Sequence, residues 1–176
     1  MNYLIISDTH GQIENLEMTI NFCKTNISGI IHCGDGVRDI AAVTMKHINI
    51  PSFFSVKGNM DANSHAPLTA TLSIDNKKIL VFHGHTVNIE TILDDITVIA
   101  EREQAHAVLF GHTHIPLCKR RNNVLIINPG SLGKPRACWG PSFCILHYDD
   151  ETSFSSTFYE ISKNGNQFNF YEFTPI

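Results

Sequence analysis

Five short apolar runs in this chain each stop at a polar cluster that contains or adjoins glycine, aspartate or histidine. That recurrence limits the fold more than any other feature. The runs are Leu4–Ser7, Gly29–Cys33, Phe53–Val56, Lys77–Phe82 and Ala107–Phe110. They are too short for helices and rich in β-branched or aromatic residues, so they read as strands. Between the first three lie amphipathic segments. One runs from Gln12 to Lys24, with Ile13, Leu16, Ile20 and Cys23 at helical spacing, and the other from Arg38 to His47. The order β-α-β-α-β predicts parallel strands joined by helical crossovers.

The rhythm then changes. Thr69–Ile74 and Lys77–Phe82 read as a hairpin around Asp75-Asn76, and Glu90–Gln104 as a helix. Further strands are expected at Ile115–Arg120, Val124–Ile127, Phe143–Tyr148, Ser153–Glu160 and Gln167–Phe173. No linker or internal repeat interrupts them. The expectation is one α/β domain over residues 1–176, with two sheets.

Composition narrows the function. Apolar residues make up 43% and charged residues 17%, which supplies a core and excludes disorder. The net charge is -4 and the longest basic run is Lys119-Arg120-Arg121. A general nucleic-acid binder would carry a basic face, so nucleic acid enters only as a small nucleotide substrate. An anionic substrate would need cations supplied locally. There is no apolar stretch of membrane-spanning length, and Tyr3–Ile6 opens the chain without a basic leader, so neither a membrane span nor a signal peptide is read. Five cysteines in no paired motif point to reduced thiols and the cytoplasm.

The chemistry gathers just past the strand ends. Asp8-Thr9-His10 follows the first, Gly34-Asp35-Gly36 the second and Gly58-Asn59-Met60-Asp61 the third. His83-Gly84-His85 and Gly111-His112-Thr113-His114 follow the strands ending at Phe82 and Phe110. In open α/β sheets, ligands bind outside the carboxyl ends of the strands. Carboxylate, carboxamide and imidazole suit Mn, Fe, Zn, Co or Ni. Asp8, His10, Asp35, Asn59, His83, His112 and His114 are too many ligands for one tetrahedral ion. They suit two ions sharing one carboxylate. His32, His47, His65, His106 and His147 lack such surroundings and read as ordinary core or surface histidines.

Asp-x-His, Gly-Asp, Gly-Asn-x-Asp, His-Gly-His and Gly-His-Thr-His, in that order, resemble the calcineurin-like metallophosphoesterase superfamily. The small size and Asn128-Pro129-Gly130-Ser131, followed by Lys134-Pro135-Arg136, look like its small bacterial and archaeal phosphodiesterase branch. The resemblance covers about residues 1 to 150. It implies a four-layer α-β-β-α sandwich of two mixed sheets. It also implies a first metal on Asp8, His10, Asp35 and His114, and a second on Asp35, Asn59, His83 and His112. Asn59 and His85 become the catalytic candidates, His85 lying beside the ligands or facing substrate. Asn128–Ser131 reads either as a turn near the site or as a purely structural one.

The implied reaction is hydrolysis of a small phosphoester, with a diester preferred. Two divalent ions, manganese first and Ni, Fe, Co or Zn as alternatives, would hold the attacking hydroxide between them. Many members carry a histidine where this chain has Met60, and methionine donates no proton to a leaving oxygen. The rival reading is a non-catalytic interaction scaffold of the same fold, as in the retromer coat. The complete ligand set favours the enzyme. The sequence leaves a homo-oligomer open.

Overall fold

A strand that is apolar on both faces needs a packed layer on each side, and this requirement organises the whole molecule. The computed structural model describes residues 1–46, 50–88, 90–150 and 153–176. The chain runs β1 (Asn2–Ile6), α1 (Ile13–Cys23), β2 (Gly29–His32), α2 (Val37–Lys46), β3 (Phe53–Ser55), β4 (Thr69–Ile74), β5 (Lys77–Phe82), α3 (Ile92–Arg102) and β6 (Ala107–Leu109). It continues through β7 (Leu117–Arg121), β8 (Val124–Asn128), β9 (Ser142–Asp149), β10 (Ser153–Asn164) and β11 (Gln167–Phe173).

Two mixed sheets form. The first has the order β11-β10-β9-β1-β2-β3 and the second β4-β5-β6-β8-β7. β1, β2 and β3 are parallel, with Leu4 opposite Ile30 and Ile30 opposite Phe53. β5, β6 and β8 are parallel in the second sheet. Alternation along the strands then sorts side chains into three cores. Ile5, Ile31, Val81, Leu109, Ile127 and Phe158 meet between the sheets. Leu4, Ile6 and Ile30 turn outward onto Leu16 and Ile20 of α1 and Ile40 and Val43 of α2. Leu80, Phe82 and Val108 turn the other way, onto Ile96 and Ala100 of α3. The layers are therefore α-β-β-α, as the resemblance implies.

Each fully buried Leu or Ile contributes about 1.5–3 kcal/mol by leaving water. Alternation thus makes register expensive to change, because a one-residue slip would exchange the cores. That register fixes where each parallel strand ends, and so where each polar cluster emerges.

Element edges differ from expectation in understandable ways. β7 begins at Leu117 rather than Ile115, because Pro116 has no N–H to give a ladder. β10 runs past Glu160 to Asn164, since its pairing with β11 continues after the apolar alternation ends, to Asn164 opposite Gln167. The expected last residue of the second helix, His47, lies outside the described residues. No helix among the described residues is long and apolar enough to cross a membrane.

Candidate metal centre

The strand ends deliver their side chains from strained backbone. Asp8, His10, Asp35, His112 and His114 all have positive φ, between 45° and 71°. Aspartate and histidine are among the few non-glycine residues that visit this region, at a cost of about 1–3 kcal/mol each. Hydrogen bonds across the turns hold them there. The Asp8 N–H donates to Gly34 O at 2.9 Å, that of His10 to Asp35 O at 3.3 Å and that of Gly111 to His83 O at 3.0 Å. Gly34 has φ 97°, and a Cβ on it would lie 2.7 Å from His83 Nδ1. The turns are packed too closely there for any side chain.

Five candidates converge. The ligand atoms of Asp8, His10 and His114 lie within 4.8 Å of one another, and so do those of Asp8, Asp35 and His83. Asp8 Oδ1 is 3.1 Å from His114 Nε2 and 3.8 Å from both His10 Nε2 and His83 Nε2. Asp35 Oδ2 is 3.4 Å from His83 Nε2 and 3.9 Å from His10 Nε2. Both carboxylates therefore reach both histidine groups.

The tautomers show what belongs between them. His83 Nδ1 lies 2.8 Å from Cys33 O and His114 Nδ1 2.6 Å from Lys134 O. A carbonyl only accepts, so each Nδ1 carries a proton, and Nε2 is the ring atom turned toward the carboxylates. His114 Nε2 also lies 3.3 Å from His10 Nε2. Lone pairs and carboxylate oxygens repel unless a cation stands among them. Asp8 Oδ1 and His83 Nε2 are buried without a hydrogen-bond partner among the described residues. Buried orphans of this kind call for an ion or water. The donor set fits a divalent metal.

Protonation agrees. Burial lowers the His10 and His112 pKa values below the ordinary histidine value, which keeps both rings neutral. Burial pushes His83 down as well, but the Asp35 and Asp8 carboxylates outweigh it and raise this pKa in the metal-free site. Burial would raise Asp35, yet His83 and the Met60 N–H, 2.7 Å from Asp35 Oδ1, hold its carboxyl below the usual range. The site attracts positive charge, and a proton and a metal compete for it.

The other candidates stand at the edge of this cluster. The His112 N–H donates to Asp8 Oδ2 at 3.0 Å, and its ring centroid lies 5.2 Å from that of His83. His85 is 5.5 Å from His83 by the same measure, and burial lowers its pKa too. Asn59 is exposed in the turn after β3, next to Met60, which is 66% exposed. Asn128 and Ser131 tie the turns together. Asn128 Nδ2 donates to Gly111 O at 2.8 Å and to Thr113 Oγ1 at 3.0 Å, and the Ser131 hydroxyl donates to Asp8 O at 2.8 Å.

Sequence reasoning gives no role to Asp39 or Asp61, although both contact the ligand turns; a carboxylate after a strand reads as an ordinary cap. It also underrates His32. This ring is fully buried, its Nδ1 accepts the Gly34 N–H at 3.1 Å, its Nε2 has no partner among the described residues, and burial holds its pKa at about 4. Among the described residues the remaining histidines behave as expected, His47 lying outside them. His147 bonds Asn2 and Thr157, His106 accepts the Lys78 N–H, and His65 is exposed in its loop.

Residues 1–151 match the model of the calcineurin-like phosphoesterase superfamily domain, and the chain belongs to that family. It is 33% identical over 164 residues to the probable metallophosphoesterase YsnB of Bacillus subtilis, covering 93% of this chain and 94% of that protein. It is 27% identical over 141 residues to the phosphodiesterase MJ0936 of Methanocaldococcus jannaschii, covering 72% of this chain and 81% of that one. Among solved structures, Vps29 of Chaetomium thermophilum superposes with a TM-score of 0.78 at 19% identity, covering 99% of this chain and 96% of that one. That last likeness speaks to the fold alone.

Proposed function

We propose that this chain is a divalent-metal phosphodiesterase holding two ions between Asp8, His10, Asp35, Asn59, His83, His112 and His114. The observation that carries the reading is the buried, unpartnered pair Asp8 Oδ1 and His83 Nε2, 3.8 Å apart with the His83 proton committed to Cys33 O. Divalent ions bound there would neutralise phosphoryl oxygens and bring the pKa of water toward neutrality.

The chain's own residues do the rest. Asp35 lies near both His10 and His83 and, as the family resemblance implies, would be the shared carboxylate, with Asp8 also in reach of both sides. His10 and His114 would complete one side, and Asn59, His83 and His112 the other. Cys33 O and Lys134 O keep the protons of His83 and His114 at Nδ1, so that Nε2 stays a ligand throughout. His85 is the imidazole left to face substrate. Burial lowers its pKa, so it acts as a neutral hydrogen-bonding group. Met60 holds Asp35 through its backbone N–H and offers no acid. Activated aryl diesters should therefore react best, and unactivated alkyl esters poorly.

A diester is preferred because a monoester dianion would bind two cations tightly in its ground state, and uniform binding does not speed the chemical step. Manganese is the expected ion. The cysteines described are all free thiols, which fits a cytoplasmic enzyme. The scaffold reading would leave this ligand set without a use. Turnover of a chromogenic aryl phosphodiester, strictly dependent on added manganese, is the expected result. No turnover with Mn, Co, Ni, Fe or Zn would overturn the reading.

A further inference from the structure

Asp61 departs from its neighbours in one respect: it is a buried carboxylate at the site whose oxygens are already fully occupied. Its Oδ2 accepts the N–H groups of Asp35 at 2.7 Å and Gly58 at 2.9 Å. Its Oδ1 accepts those of Gly36 and Val37, both at 3.1 Å. Four donors leave no lone pair aimed at an ion, in contrast to the unpartnered Asp8 Oδ1. The partners lie on two different segments, the β2–α2 turn with the first residue of α2 and the turn after β3. Asp35, Gly36 and Val37 follow β2, whereas Gly58 follows β3 and precedes Asn59. The Met60 N–H then returns to Asp35 Oδ1 at 2.7 Å, closing the link from the other side.

A second carboxylate serves the first turn. Asp39, on α2, accepts the Thr9 hydroxyl and, at 2.8 Å, the Gly11 N–H. Its partners therefore flank His10. The two carboxylates touch different turns, and those turns carry different ligands.

We infer that Asp61 is a positioning residue that sets the shared Asp35 against Asn59 and so determines the affinity of both ions, while Asp39, whose partners flank His10, does so for the ion on the His10 side alone. The inference rests on the two-ion reading above. Its physical basis is that ligands placed on strained turns hold their geometry only when the surrounding groups over-determine it. Asparagine at position 61 would keep the size but turn an NH₂ toward two of the four N–H donors, and the turns would separate.

The test compares the wild type with Asp61→Asn and Asp39→Asn, by calorimetric titration with Mn²⁺ and by melting temperature in chelator. His83→Ala and His10→Ala mark which binding step belongs to which ion. The expected result is a loss of at least about tenfold in affinity at both ions for Asp61→Asn and at the His10-side ion alone for Asp39→Asn. In Asp39→Asn the His83-side ion is bound nearly as before, and in both variants the metal-free protein remains folded. Wild-type affinity for both ions in Asp61→Asn, or equal weakening of both ions by both variants, overturns the inference and leaves the two-ion reading standing. A wild type that binds no manganese overturns the two-ion reading itself. Should Asp61→Asn not fold, Asp61→Ser removes the charge without opposing the donors and carries the same comparison. Failure of both to fold would make Asp61 a structural residue and overturn the inference.

Discussion

Left-handed backbone gathers at both ends of the second sheet, and the two ends use it differently. At the hairpin end, Asp75, Asn122 and Asn123 have φ of 50°, 47° and 66° in exposed turns. These are residues that tolerate the region, and Asn122 Nδ2 finds an ordinary partner in Glu101 Oε1 at 2.6 Å. At the other end, His112 and His114 have φ of 71° and 61°, facing Asp8 and Asp35 of the first sheet at 53° and 58°. There the side chains are buried or half-buried and turn lone pairs toward one another. The hairpin turns are complete as they stand. The turns at the opposite end leave Asp8 Oδ1 and His83 Nε2 without a partner among the described residues, which a bound cation would supply.

Removing the group at the centre of that balance should have the largest effect. Asp35→Ala should reduce diesterase turnover to background and weaken both ions, whereas Asp75→Ala in the hairpin should leave turnover unchanged. Steady-state rates and manganese titration measure both. Activity retained in Asp35→Ala would place Asp35 with the hairpin residues.

Glycines sharpen the contrast. A Cβ at Gly58 would lie 2.0 Å from Asp35 Oδ1, while one at Gly165, in the β10–β11 turn at φ 58°, would meet nothing within 4 Å. Gly58→Ala should cost roughly 10²-fold in turnover by displacing a ligand. Gly165→Ala should cost about 1 kcal/mol of stability, from backbone strain alone, with activity intact. Rates and denaturant melts on the two variants check this.

Stability should fall with acid because of His32. Its folded pKa, about 4, lies below the ordinary 6.5, so the unfolded chain binds the extra proton first. The stability is fully present above pH 6.5 and is lost as pH falls through the window down to about 4, a change of roughly 3 kcal/mol. Melts of the metal-free protein across that window, repeated on His32→Gln, should show the slope in the wild type and a flatter one in the variant.

The smallest effect concerns Met60. General-acid help is worth about 10²–10⁴-fold when well placed. Met60→His, unoptimised, should raise turnover of alkyl-leaving diesters by about tenfold and barely change aryl ones. A wild type already insensitive to leaving-group pKa would reveal an acid other than residue 60.

Much of this was readable from the chain alone. Strand-like runs bounded by polar turns, such as Asp75-Asn76, placed β4, β5 and β11 at their observed bounds. The ligand clusters were legible because carboxylate and imidazole recur after strand ends. Asp61 and Asp39 were not, because an aspartate that accepts backbone N–H groups from another loop has the same local sequence as one that caps its own turn. The orphaned Nε2 of His32 was equally hidden, since burial and partners are properties of the packed molecule. The choice between a working and a merely structural Asn128–Ser131 turn also needed coordinates. Its bonds to Gly111 O and Asp8 O are contacts between distant segments.

The central claim is that two cations complete the strained end of the sheets. Anomalous diffraction from crystals grown or soaked with manganese tests it most directly. The account predicts two peaks per chain, one beside His10 and His114 and one beside His83 and His112, with Asp35 reaching both. A single peak, or none at saturating manganese, would contradict it.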